Sequence, residues 1–235
     1  MTQGFLEVNG ARLWYEETGS GPAVTMVHAG IADHRQWDDQ VPALAPYYRV
    51  IRFDMRGFGQ SEIHPGPASL AEDIGGVLDA LGVERTALIG CSMGGAAAIE
   101  FTVTHPERVS ALITSGAGLS GVDHKNPPEQ DALFEEAAAA QNAGDADRLN
   151  ELEWRIWCQG FARDANEVKP SVRERFLAMN TNNNRRFMAG EWKGVEFQEL
   201  DPPASARLAA VTTPTLVIIG SGDEAATQAL SDDIA

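Results

Sequence analysis

The chain has 235 residues, 43% of them hydrophobic, enough for one well-cored domain with a small subdomain and too apolar for an intrinsically disordered chain. Its formal net charge of −16, from 34 Asp and Glu against 18 Lys and Arg, excludes the clustered basic surface that nucleic acid and anionic membranes require. The N-terminal residues show no secretory pattern, no run reaches transmembrane length, and Cys91 and Cys158 have no metal-binding spacing, so a reducing, cytoplasmic location is expected.

In chain order, Phe5 to Val8 and Arg12 to Glu16 read as an antiparallel hairpin. Ala23 to His28 is a predicted strand, Asp33 to Leu44 a helix, Tyr48 to Asp54 a strand and Leu70 to Leu81 a helix. Thr86 to Ile89 (strand), Gly94 to Thr104 (helix), Val109 to Thr114 (strand) and Pro214 to Ile219 (strand) continue the alternation. Several strands are nearly continuous in Val, Ile, Leu and Met, as in strands covered on both faces, so a mainly parallel α/β sheet with right-handed crossovers is expected.

Between Gly121 and Pro203 the alternation stops, and the residues read as helices and loops with no strand. Residues 121–203 are therefore expected to form an inserted helical cap over a core made of 1–120 and 204–235. Its helices are placed at Glu129 to Gln141, Ala146 to Gln159 and Val172 to Met179, the last begun by Pro170 and Ser171. Trp154, Trp157, Phe161, Phe176, Phe187 and Trp192 give this segment most of the large aromatic surface. Most are expected to pack the cap onto the core, with one or two lining a substrate pocket.

Ser92 stands in Gly90-Cys91-Ser92-Met93-Gly94-Gly95, between a strand and the helix-prone Ala96 to Phe101. A strand, a sharp glycine-flanked turn and a helix would hold the serine in a strained conformation with its hydroxyl projecting, the placement of a nucleophile. Cys91 beside it reads as a small buried residue. A tetrahedral oxyanion needs preorganised donors, and the N–H groups of Met93 and Gly30 are the candidates, with Ile31 second to Gly30.

Three motifs resemble the α/β-hydrolase family: His28-Ala29-Gly30 is similar to its oxyanion loop, Asp54 to Ser61 to its Asp-x-Arg-Gly-x-Gly-x-Ser turn, and Gly90 to Gly95 to its nucleophile elbow. His105-Pro106-Glu107-Arg108-Val109 also resembles the link after the elbow helix. The resemblance implies that the Asp54 to Ser61 turn is structural. It also implies an acid in Gly220-Ser221-Gly222-Asp223-Glu224, with Asp223 preferred over Glu224. The expected activity is cleavage of a small-molecule carboxylic ester or lactone through a Ser-His-Asp acyl-enzyme, with acyl-homoserine and enol lactones among the substrates and no metal or organic cofactor. A serine at the elbow departs from the dehalogenase and epoxide hydrolase branches, which use aspartate. A carbon–carbon bond hydrolase, a cofactor-free haloperoxidase and a non-catalytic ligand-binding protein share the same visible residues.

The base is the missing member. In the family order the histidine follows the acid, yet none follows His124, and neither His28, His34, His64, His105 nor His124 is placed to serve. The expectation is a chain cut short of its last strand and helix, leaving an open apolar edge near Val217 for a C-terminal fragment or second chain to complete.

Overall fold

Asn9 and Gly10, with φ of 46° and 74°, close a two-residue turn between β1 (Thr2–Val8) and β2 (Ala11–Thr18), the conformation that matches strand twist in a tight hairpin. The computed structural model describes residues 1–235. After the hairpin come β3 (Ala23–Val27), α1 (Val41–Leu44), β4 (Arg49–Phe53), β5 (Gly66–Ala68), α2 (Leu70–Ala80), β6 (Thr86–Cys91), α3 (Met93–Thr104) and β7 (Val109–Ser115). Then follow α4 (Pro128–Ala143), α5 (Ala146–Glu153), α6 (Pro170–Met188), β8 (Val195–Phe197), β9 (Thr215–Ile218) and α7 (Ala225–Ile234).

All seven strands expected from sequence join one sheet in the order β1-β2-β4-β3-β6-β7-β9. The pairs of β2 with β1 and β4 are antiparallel, and every pair from β4 to β9 is parallel. The main core lies where α2 and α3 cover the sheet, joining Ile74, Val77 and Leu78 to Ile99, Phe101 and the strand residues Leu13, Ile51 and Leu88. The fold is thus a mainly parallel α/β sheet, and β6, an interior strand between β3 and β7, delivers Ser92 at its carboxyl end.

The sequence expectations need four corrections. Asp33 to Leu44 is not one helix: Asp33 caps a 3-10 turn over His34–Trp37, and α1 starts afresh at Val41. Pro42 lacks the N–H that a continuous helix would need there. Residues 121–203 are not strand-free, because β8 pairs in parallel with β5 as a separate two-stranded ribbon. Three residues are too few to show a period of two. The helix expected at Val172 to Met179 runs on to Met188 through an asparagine-rich stretch of poor helix propensity. Asn180, Asn183 and Asn184 are buried there and hydrogen-bonded to neighbouring elements, so tertiary contacts override propensity. Finally, Ala146 to Gln159 divides into α5 and a π-helical turn over Trp154–Gln159.

At the far side of the sheet β9 pairs only with β7, and its outer edge is open. Leu216 and Ile218 are 55% and 46% exposed there. The edge expected near Val217 is therefore present.

Candidate active site

The turn from β6 into α3 holds Ser92 at φ 50° and ψ −116°, a conformation that costs a non-glycine residue roughly 1–3 kcal/mol. Ser92 N–H donates to Ser115 O at 2.9 Å, and Ser92 O accepts from Ala96 N–H at 2.9 Å, so both sides of the strained residue are pinned. The close approach of strand and helix demands glycine: a Cβ on Gly90 would stand 2.5 Å from Gly94 O and 2.7 Å from Gly95 Cα. With its backbone so held, Ser92 faces a cavity of about 570 Å³. Its hydroxyl makes no hydrogen bond within the chain.

The expected oxyanion donors meet at the same place. Met93 begins α3, so its N–H has no acceptor inside the helix and lies at the positive end of the helix dipole. Gly30 and Ile31 likewise have N–H groups without an acceptor in the protein. Gly30 packs directly on Met93, since a Cβ at Gly30 would lie 2.9 Å from Met93 Cε. Gln36, which sequence reasoning missed, secures this loop by accepting from Ala29 N–H at 2.8 Å.

Asp223 also lines the cavity, in the turn after β9, where its Oδ2 accepts from Gly220 N–H at 2.9 Å. Glu224 lines it too but is 6% exposed and accepts a hydrogen bond from the Thr227 hydroxyl, while burial pushes its carboxyl up. Of the two, Asp223 is the more accessible carboxylate. Trp157 and Phe176 form part of the facing wall, whereas Trp192 packs edge-on against Phe58, which divides the aromatic residues between pocket and packing.

None of the five histidines reaches Ser92 or Asp223. His28 is fully buried, with Nδ1 donating to Ala29 O at 2.8 Å and Nε2 accepting from Met55 N–H at 2.9 Å. Burial lowers its pKa and keeps it neutral against the pull of Asp54. His34 is buried, with Nδ1 donating to Asp54 Oδ1 at 2.7 Å and Nε2 3.7 Å from Glu16. His64 lies 3.3 Å from Glu62, His105 stacks on Phe101, and His124 pairs with Asp233 at 2.6 Å.

Asp33, His34 and Asp54 bring three ligand-type atoms within 4.8 Å. Asp54 Oδ1 already accepts from both the backbone N–H and the ring of His34, so the group is a hydrogen-bonded brace for the loops. The Asp54 to Ser61 turn is structural in the same way: Asp54 Oδ2 accepts from Gln60 N–H, and Arg56 makes a buried bidentate pair with Asp73.

Cys91 is half-buried on the cavity wall rather than fully enclosed, and burial raises its thiol pKa. Cys158, on the same cavity, is pushed up to about 12, so burial favours the protonated, weakly nucleophilic thiol at both positions.

The strand, sharp turn and helix that hold Ser92, the loop of Gly30 and the turn of Asp223 thus surround one cavity. The chain belongs to the alpha/beta hydrolase fold family, which matches residues 22–235. It is similar to the 2-hydroxymuconate semialdehyde hydrolase of Pseudomonas sp. (strain CF600), 31% identical over 234 residues that take in 92% of this chain and 75% of that protein. It is also similar to 3-oxoadipate enol-lactonase 1 of Acinetobacter baylyi, 25% identical over 88% of this chain and 74% of that protein. The crystal structure of a hydrolase from Pseudomonas aeruginosa PA01 superposes with a TM-score of 0.75 at 30% identity, covering 99% of this chain and 85% of that one. Matches to other curated relatives take in only 39% to 59% of those proteins' length. No helix of the chain is long and apolar enough to cross a membrane.

Proposed function

We propose that this chain carries the acylation machinery of a serine hydrolase acting on carboxylic esters or lactones. Ser92 attacks the acyl carbon, Met93 and Gly30 N–H groups hold the oxyanion, and Asp223 orients and stabilises a histidine base. Residues 121–203 act as the cap that selects the acyl group. The observation that carries the reading is Ser92 at φ 50°, opening on one cavity with Gly30, Met93 and Asp223.

In this reading the base comes from outside the five histidines. A further segment or second chain pairing with the open edge of β9 brings it in, because Asp223 lies in the turn that follows that strand. Exogenous imidazole tests the reading on the chain as it stands. Added imidazole is expected to raise p-nitrophenyl ester hydrolysis by the wild-type chain well above its effect on Ser92→Ala. Equal rates in the two proteins would favour a non-catalytic binding role.

The 2-hydroxymuconate semialdehyde hydrolase relative supports a second reading, hydrolysis of a carbon–carbon bond next to a ketone. The cavity charge weighs against it for anionic substrates: Glu153, Asp223 and Glu224 line the site, and its one cation, Arg175, is paired with Asp39 at 2.7 Å. Hydrolysis of a 2-hydroxy-6-oxo-dienoate faster than of any ester would reverse the order.

A further inference from the structure

The cavity wall formed by the helical segment carries a carboxyl group that acyl transfer at Ser92 does not use. Glu153 ends α5 where the backbone widens into the π-helical turn Trp154–Gln159, a winding concentrated at functional sites, and it lines the same cavity as Ser92. Its Oε2 accepts from Asn180 Nδ2 at 2.6 Å and from Asn184 Nδ2 at 2.7 Å. Both amides also donate to Asn150 Oδ1, at 3.2 Å and 3.1 Å, so the two N–H groups of each are spent. Asn150, Asn180 and Asn184 are 3%, 1% and 9% exposed. Three buried amides from two helices thus fix one carboxyl in one orientation.

The other oxygen, Oε1, has no partner in the protein, and no Lys or Arg pairs with this carboxyl. Burial pushes its pKa up, and the Asn184 and Asn180 amides pull it part of the way back. Glu153 is half-buried, and with Oε2 held by the two amides, Oε1 is the oxygen left to meet a group that enters the cavity.

We propose that Glu153 selects the far end of the substrate: Oε1 accepts a hydrogen bond from a hydroxyl or amine borne on the acyl group away from the scissile carbonyl. The assignment rests on the acyl-transfer reading of Ser92. The charge of the cavity agrees with it, because Asp223 and Glu224 add to Glu153 while Arg175 is held by Asp39. A neutral or cationic donor is matched, and a carboxylate at that end is repelled.

The test is calorimetric titration with a medium-chain methyl ketone, its ω-hydroxy counterpart and its ω-carboxy counterpart. A ketone presents a carbonyl with no leaving group, so no turnover is needed. The proteins are the wild-type chain, Glu153→Gln and, as a charge control on the same helix, Glu151→Gln, whose partner Arg173 is exposed. The ω-hydroxy ketone is expected to bind the wild type and Glu151→Gln about tenfold more tightly than the plain ketone, with the ω-carboxy ketone weakest. Glu153→Gln can keep its amide oxygen on Asn180 and Asn184 and turn its NH₂ to the cavity, so it should lose the hydroxyl preference and gain affinity for the carboxylate. Equal binding of hydroxy and plain ketones by the wild type overturns the assignment without any variant. So does a preference that survives in Glu153→Gln or vanishes equally in Glu151→Gln. A hydroxyl preference in a chain whose Ser92 never acylates overturns only the acyl-transfer reading.

Discussion

Gly94 and Val27 meet backbone to backbone: a Cβ on Gly94 would stand 2.5 Å from the carbonyl oxygen of Val27, and it would also collide with that of His28. Helix α3 therefore sits directly against β3, the strand that leads into the loop of Gly30. We predict that Gly94→Ala forces the two apart and costs about 3 kcal/mol or more, at the upper end for overpacking because backbone cannot move aside as a side chain does. Urea denaturation reads this, and a loss under about 1 kcal/mol would show that the elbow is looser than its geometry.

The strain at Ser92 predicts opposite effects on stability and chemistry. Ser92→Gly should stabilise the fold by about 1 kcal/mol, because glycine adopts φ 50° without penalty. The same change should remove all imidazole-dependent ester hydrolysis. Unchanged hydrolysis would move the nucleophile elsewhere.

Asp223 and Glu224 are separable by the same assay. Asp223→Asn is expected to lower the imidazole-supported rate about tenfold or more, since a carboxylate stabilises the imidazolium formed as Ser92 is acylated. Glu224→Gln should leave the rate nearly unchanged, its carboxyl being engaged by Thr227. The reverse ranking would reassign the acid.

His34 predicts a pH dependence of stability. Burial alone would lower its pKa, but the hydrogen bond and charge of Asp54, with Asp33 and Glu16, outweigh burial and raise it above its ordinary 6.5. A base with a raised folded pKa contributes its full stability below about 6.5 and loses it as the pH rises through the folded value. His28, with a lowered pKa, acts in the opposite direction. The difference in unfolding free energy between wild type and His34→Gln isolates the His34 part and should shrink as the pH is raised from about 6 to about 9. A difference that grows over that range would contradict the charged His34–Asp54 pair.

Arg56 donates from Nε and Nη2 to the two carboxylate oxygens of Asp73, each at 2.5 Å, with side chains 3% and 1% exposed. Arg56→Met leaves a buried carboxylate without its partner and should cost roughly 3–5 kcal/mol, whereas Arg56→Met with Asp73→Leu should cost much less. Chemical denaturation of the three proteins checks this. An additive double mutant would mean that the pair is not coupled.

Much of the fold was legible in the chain itself. The seven apolar runs all became strands of one sheet, because continuous β-branched segments bury well only between covering helices. The glycine pattern around Ser92 identified the elbow for a similar reason: only residues without a Cβ permit that approach of strand and helix. Gly30 and Met93 were placed from their positions beside strand ends and Asp223 from the resemblance of its turn to the family's acid loop, and the structure brings all three to one cavity.

Other features depended on contacts between residues distant in the chain. β5 and β8 are visible only as a pair, since three residues gain strand character from each other's hydrogen bonds rather than from their own pattern. Helix α6 passes through Asn180 to Asn184 because buried partners on α5 and in the β3 and β4 loops satisfy those amides. Glu153 looks in sequence like any acidic residue on an exposed helix, and Gln36 like any loop glutamine. The chain alone determined the strand order's raw material, the strained turn that carries Ser92 and the charge. Only the tertiary structure decided which polar groups were deprived of water, and it is the loss of water that turns His34 and Asp73 from surface-type residues into groups with fixed partners.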